Sequence, residues 1–152
     1  MTTHLTPFHL AIGVHDLSAA RDFYSDLLGC REGRSDTDWV DFNLYGHQLV
    51  CHQLASAVPQ SANPNDANPV DGHDVPVPHF GVVLEPGQWR ALADRLTAAN
   101  TRFVIEPRTR FAGTAGEQST LFILDPSGNA LEFKAFADIE QQLFAVDLPK
   151  SS

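Results

Sequence analysis

With 43% apolar and 19% charged residues in a chain of 152, the composition is that of one ordinary globular domain and excludes a disordered or fibrous protein. A net charge of −9 argues against nucleic acid or an anionic membrane as partner, because phosphate binding needs clustered Lys and Arg, and suits a small or cationic ligand. No apolar run approaches the ~18 residues of a membrane helix, and MTTHLTPFHL has no basic start followed by a hydrophobic stretch, so a cytoplasmic protein is expected. Cys30 and Cys51 form no CxxC pair and read as reduced, half-buried thiols.

In chain order, residues 8–14 alternate as a strand. HDLSAARDFYSDLLG follows with a helical pattern: Asp16 or Ser18 caps its start, Leu17, Ala20, Phe23, Tyr24, Leu27 and Leu28 recur at helical spacing, and Gly29 closes it. WVDFNLY and HQLVCHQL are alternating strands joined as a hairpin at Gly46. Residues 55–77 are proline-rich and aperiodic, which predicts a long linker. The order then begins again: HFGVVLE as a strand, a helix with Trp89, Leu92, Leu96 and Ala99 on one face, and the strands RFVIEP, STLFILD and ALEFKAF. The tail, 138–152, is read either as a short helix packing through Ile139, Leu143 and Phe144 or as a segment lying across a partner.

The two halves align as patterns, with His9 and His79 at equivalent points, and suggest a duplicated βαβββ unit: module one over about 7–54, module two over about 78–137. Neither would stand alone, since three or four strands under one helix leave a face and an edge uncovered. The fold class expected is α+β, two βαβββ modules forming a cupped, barrel-like mixed sheet in a single domain.

His9, Ala11 and Gly13 share one face of the first strand, and His79, Gly81 and Val83 repeat the arrangement, so each histidine lies on a face lined by small residues. Glu132 sits in an apolar strand after the turn DPSGN, and points either to water or to a metal. Two imidazoles and a carboxylate from three strands would make the facial triad that leaves open positions on an octahedral ion. A lone histidine in a strand is more often a packed or solvated residue than a ligand; the coincidence at equivalent points of a repeat is what favours the metal. On the strand HQLVCHQ, His52 shares a face with Gln48 and Val50, and reads as a fourth ligand, a proton shuttle or an ordinary cross-strand residue, with the shuttle preferred. The stretch 106–120 reads either as a surface loop or as a lid offering Arg108 or Arg110 to a substrate carboxylate or enolate.

FHLAIGVHDLSAARDFYSDLLG, PHFGVVL and DPSGNALEFKAF resemble the signature segments of the vicinal oxygen chelate superfamily of glyoxalases, bleomycin and fosfomycin resistance proteins and extradiol dioxygenases, over roughly residues 7–137. The resemblance implies that His9, His79 and Glu132 are metal ligands. It is nearest to the small extradiol-dioxygenase-like group, which implies Fe(II) or Mn(II), oxidation of a small diol or other oxygen-chelating substrate, and His52 as acid–base group. The family's tyrosine would fall at Phe122, and no histidine in 107–121 matches its second one. A glyoxalase-like lyase or isomerase using Ni(II) or Zn(II), with His52 or Gln48 completing the ligands, is the alternative; a drug-sequestering protein of the bleomycin resistance type is a third. A homodimer is expected from the resemblance.

Overall fold

A computed structural model describes residues 5–59, 67–70 and 73–144. Much of the linker expected at 55–77, and the tail from 145 onward, lie outside the described residues. Two compact units result, Met1–Asp66 with Leu124–Asn129, and Ala67–Ile123 with Ala130–Ser152. Each carries one mixed four-stranded sheet.

In the first unit, β1 (His9–Val14) leads into α1 (Leu17–Arg21) and a π-helical turn over Asp22–Leu27, followed by β2 (Arg31–Ser35), β3 (Trp39–Leu44) and β4 (His47–Gln53), with sheet order β1-β4-β3-β2. Asp16 caps α1, its carboxylate accepting from the Ser18 N–H at 2.9 Å. The helix expected to run unbroken to Leu28 widens because Leu28 N–H bonds back to the Phe23 carbonyl, five residues earlier. That turn keeps Phe23, Tyr24 and Leu28 all buried, with the Tyr24 ring 5.5 Å from that of Phe42, and Gly29 (φ 75°) ends it as expected. Positive φ at Tyr45 and Gly46 makes the tight hairpin between β3 and β4. Strand β2, sequence REGRS, is exposed at every position and has no apolar period, so it does not show in the sequence as a strand.

The turn DPSGN belongs to this unit. Asp125 is fully buried, and its carboxylate accepts from the N–H groups of Ser127 and Asn129, from Asn129 Nδ2 and from the Tyr24 hydroxyl, at 2.7–2.9 Å. Asn129 Nδ2 also reaches the Gly13 carbonyl at 2.9 Å, and His15 pairs with Ser127 Oγ through both its main chain and its ring. A buried charge is tolerable only when paired in this way.

The second unit opens with a hairpin of β5 (Ala67–Val70) and β6 (His73–Pro76), which falls inside the expected linker. Then come β7 (Val83–Leu84), α2 (Pro86–Ala98), β8 (Phe103–Arg110), β9 (Gln118–Leu124), β10 (Ala130–Phe136) and α3 (Ile139–Gln142), with sheet order β7-β10-β9-β8. Pro86 starts α2, and Trp89, Leu92, Ala93 and Leu96 are buried; Ala99, expected on that face, is instead the exposed C-cap. The Trp89 indole donates to the Phe133 carbonyl at 2.9 Å, tying helix to sheet beside Leu131, Phe133 and Ala135. In the tail, α3 is capped by Asp138, while Phe144 remains exposed.

Thus, apart from the β5–β6 hairpin and α3, each unit runs strand, helix, three strands, and the α+β class with two βαβββ modules expected from the sequence is observed.

Candidate metal centre

Across the second sheet, Glu132 points neither to open water nor into the core. Its side chain is 14% exposed, Oε1 accepts a hydrogen bond from the Thr120 hydroxyl at 2.8 Å, and Oε2 lies 3.3 Å from Nε2 of His79. The His79 ring packs edge-on against Phe122, centroid to centroid 4.9 Å, and its Nδ1 is 2.8 Å from the Pro76 carbonyl. A carbonyl only accepts, so Nδ1 carries a proton, and Nε2 is the ring nitrogen turned toward Glu132. Each partner therefore has one atom satisfied by the protein and one left facing the other.

Gly81 lets this happen. The Glu132 N–H bonds to the Phe80 carbonyl at 2.8 Å, and a Cβ on Gly81 would strike the main chain of Glu132. The glycine is thus explained by close approach of two backbones, not by the empty space that the sequence pattern suggested. At Gly13 likewise the room is taken, by the Leu54 side chain.

His9 belongs to the first unit, where it is exposed. Register sets it directly opposite Gln48, and its Nδ1 is 2.8 Å from the Gln48 amide oxygen, which again leaves Nε2 as the free lone pair. Gln48 Nε2 in turn donates to Asp41 Oδ2 at 3.2 Å, so the imidazole is oriented through an amide held by a carboxylate. His52, four residues along β4, is opposite Gly13 and Trp39 on the same face, about 13 Å from Gln48 by strand rise, and is exposed. Gln48, not His52, is therefore the neighbour of His9.

Arg108 and Arg110 lie on β8 and not on a lid: residues 106–110 extend the strand, and the connection closes in tight turns over 111–117. The sequence misled because these strand residues are polar. Arg108 is opposite Thr120 and so shares the face of Glu132, whereas Arg110 is exposed at the strand end with its guanidinium 5.7 Å from the Phe111 ring centroid.

In donor chemistry the His79–Glu132 pair of the second unit offers an imidazole nitrogen and a carboxylate oxygen of the kinds a divalent ion takes, and His9 of the first unit offers another imidazole nitrogen. Among the described residues, no group of three or more His, Cys, Asp and Glu side chains stands together in a way that could hold a metal. The pair His79–Glu132 is what the fold assembles.

Comparison with known proteins gives a family model, Glyoxalase/Bleomycin resistance protein/Dioxygenase superfamily, matched over residues 6–133. The chain belongs to that superfamily. Among solved structures, a glyoxalase/bleomycin resistance protein/dioxygenase from Alicyclobacillus acidocaldarius is 32% identical at a TM-score of 0.68, with 89% of this chain and 94% of that one covered. A fosfomycin resistance protein, FosX, from Listeria monocytogenes shares the fold at 16% identity and a TM-score of 0.58, covering 93% of this chain and 99% of that one. Lactoylglutathione lyase from Agrobacterium tumefaciens does so at 19% identity and a TM-score of 0.58, covering 88% and 96%. No curated protein matches. The superfamily thus holds enzymes of different reaction classes, and among the described residues no helix is long and apolar enough to cross a membrane.

Proposed function

We propose that this chain is a metal-dependent enzyme of the extradiol-dioxygenase-like kind, in which His9, His79 and Glu132 hold Fe(II) or Mn(II) and a small substrate binds through two neighbouring oxygens. The observation that carries the reading is the His79–Glu132 pair, Nε2 to Oε2 at 3.3 Å, with the far atom of each side chain already engaged by Pro76 or Thr120. When bound, such an ion supplies positive charge that lowers the pKa of a coordinated substrate hydroxyl. The residues themselves do the positioning. Pro76 and Gln48 hold the two imidazoles in the tautomer that leaves Nε2 unprotonated, and Thr120 keeps Glu132 from rotating away. Phe122 covers one edge of His79 with a ring that has no hydroxyl to donate or accept a proton. Arg108, on the face of Glu132, is proposed to offer its guanidinium to a substrate enolate, with Arg110 at the rim, and His52 to exchange a proton with the substrate. The active species is proposed to be a homodimer.

A second reading, a glyoxalase-like lyase or isomerase with Ni(II) or Zn(II), is favoured by one observation: Gln48 stands opposite His9 with its amide oxygen 2.8 Å from the ring, where it can serve as a further ligand.

Metal analysis after anaerobic loading tests the common core: the wild type is expected to hold about one ion per chain and Glu132→Ala far less, and equal content in both overturns the chelation. Oxygen uptake with a panel of catechols separates the readings, since consumption of a hemithioacetal without oxygen uptake assigns the lyase.

A further inference from the structure

One row of side chains crosses the whole first sheet. His9 on β1 faces Gln48 on β4, Gln48 faces Asn43 on β3, and Asn43 faces Arg31 on β2, so all four project from the same side. Beyond His9 the other three residues of the row, Gln48, Asn43 and Arg31, line a cleft of about 340 Å³ together with Glu32, Asp41 and His47. Of the candidate site residues singled out in the sequence only Gln48 lines this cleft.

Its charges decide what it would take. Glu32 is bound by Arg21 Nε at 3.0 Å, and Asp41 accepts from the Arg34 main chain at 2.5 Å and from Gln48, with the Arg34 guanidinium at 3.7 Å. Each of the two carboxylates therefore already has an arginine beside it, Glu32 through Oε1 and Asp41 through both oxygens. Asn43 gives its amide oxygen to the Gly46 N–H at 2.6 Å, which leaves its NH2 group as a donor. Among the described residues Arg31 has neither a carboxylate nor a hydrogen-bond partner. Arg31 and Asn43 thus place side-chain donors without a protein partner among the described residues in the cleft, on a chain whose overall charge is −9.

From this row we infer that the cleft is an oxyanion subsite: Arg31 forks onto a carboxylate or phosphate at one end of the substrate, Asn43 donates to it, and the substrate's other end extends along the row toward His9. Three strand spacings separate the Cα atoms of Arg31 and His9, about 14 Å, which the arginine's own length shortens to the span of a small aromatic or branched acid. The inference rests on the proposed reading only in taking His9 as the chemical end; anion binding itself needs no metal.

The test is therefore run on the full chain stripped of metal, by NMR titration with phenylacetate, phenyl phosphate and the neutral benzyl alcohol. Anion-selective binding is expected, with the tighter of the two anions assigning the class, and Arg31→Gln weakening it by about tenfold or more while Arg31→Lys keeps part of it. Equal binding of benzyl alcohol, no binding by either anion, or an Arg31→Gln variant that binds both as the wild type does, overturns the subsite. Equal metal content in wild type and Glu132→Ala, which overturns the chelation, leaves this anion-binding result untouched, so the two failures are distinguishable.

Discussion

Gln48 accepts the Nδ1 proton of His9 across 2.8 Å, and it does so from the strand position directly opposite. The contact fixes which nitrogen of His9 is available. Replacing Gln48 by Leu removes the acceptor while leaving the sheet intact, and is expected to weaken metal binding by about 10- to 100-fold, whereas Gln48→Glu, which still accepts, retains most of it. Competition against a chelator of known affinity measures both.

Thr120 plays the corresponding part for Glu132. In Thr120→Val the shape is kept and the hydroxyl donor at 2.8 Å is lost, so metal affinity should fall by about tenfold. Thr120→Ser, which restores the donor, is expected to recover it. Should Val and Ser variants bind alike, the hydroxyl has no part in holding the carboxylate.

Gly81→Ala places a methyl group against the Glu132 main chain, where no flexible side chain can move aside. The expected cost is about 1–3 kcal/mol, as for other overpacked sites, read as a shift in the midpoint of urea unfolding. Metal affinity should fall with it, because the atom struck belongs to the residue bearing the carboxylate.

Tyr24 and Cys51 set the alkaline limit of the first unit. Burial, then the nearby charge of Asp125, push the Cys51 thiol from 9.0 up to about 12, and the same causes in the same order raise Tyr24 well above 10.0. Both groups hold their protons more tightly folded than unfolded. Their contribution is thus complete below the unfolded values and is lost as pH climbs through the folded ones, so urea stability should decline from about pH 9 upward, and Cys51→Ala should flatten part of that decline. At neutral pH, Cys51 is expected to resist thiol reagents until the protein unfolds.

Removing the phenol itself, in Tyr24→Phe, takes one of four donors from a carboxylate with no exposure to water. A loss of about 1–3 kcal/mol is expected in thermal or urea unfolding, larger than for an exposed tyrosine.

The sequence carried the elements whose burial imposes a period. Trp89, Leu92 and Leu96 on α2, and Leu131, Phe133 and Ala135 on β10, are buried as their spacing predicts, and the DPSGN turn forms as its residues demand. Where no side of an element is apolar, the period vanishes: β2 reads as a loop because REGRS is exposed throughout, and the end of β8 because PRTR, half-buried up to Thr109, is polar. The candidate site divides in the same way. Glu132 and His79 were legible as a carboxylate and an imidazole out of place in apolar strands, and Gln48 as a possible further ligand, but Thr120, Asn43 and the pairing of Gln48 with His9 were not, since strand register alone gives such residues their partners. Arg31 was missed for want of its strand. The nearest signal for it was its position beside Gly29 and Cys30, just past the helix end, where a chain turning back must begin a new strand.

Because β2 adds no side chain to the core, it is under little packing constraint. Apart from Gly33, where a Cβ would strike the Asp41 carboxylate, exchanges at position 31 and its strand neighbours are expected to carry a small energetic penalty, while the imidazole end of the same row is pinned by its neighbours. Ligand preference in such a scaffold evolves from its outermost ribbon inward, and chemistry drifts last.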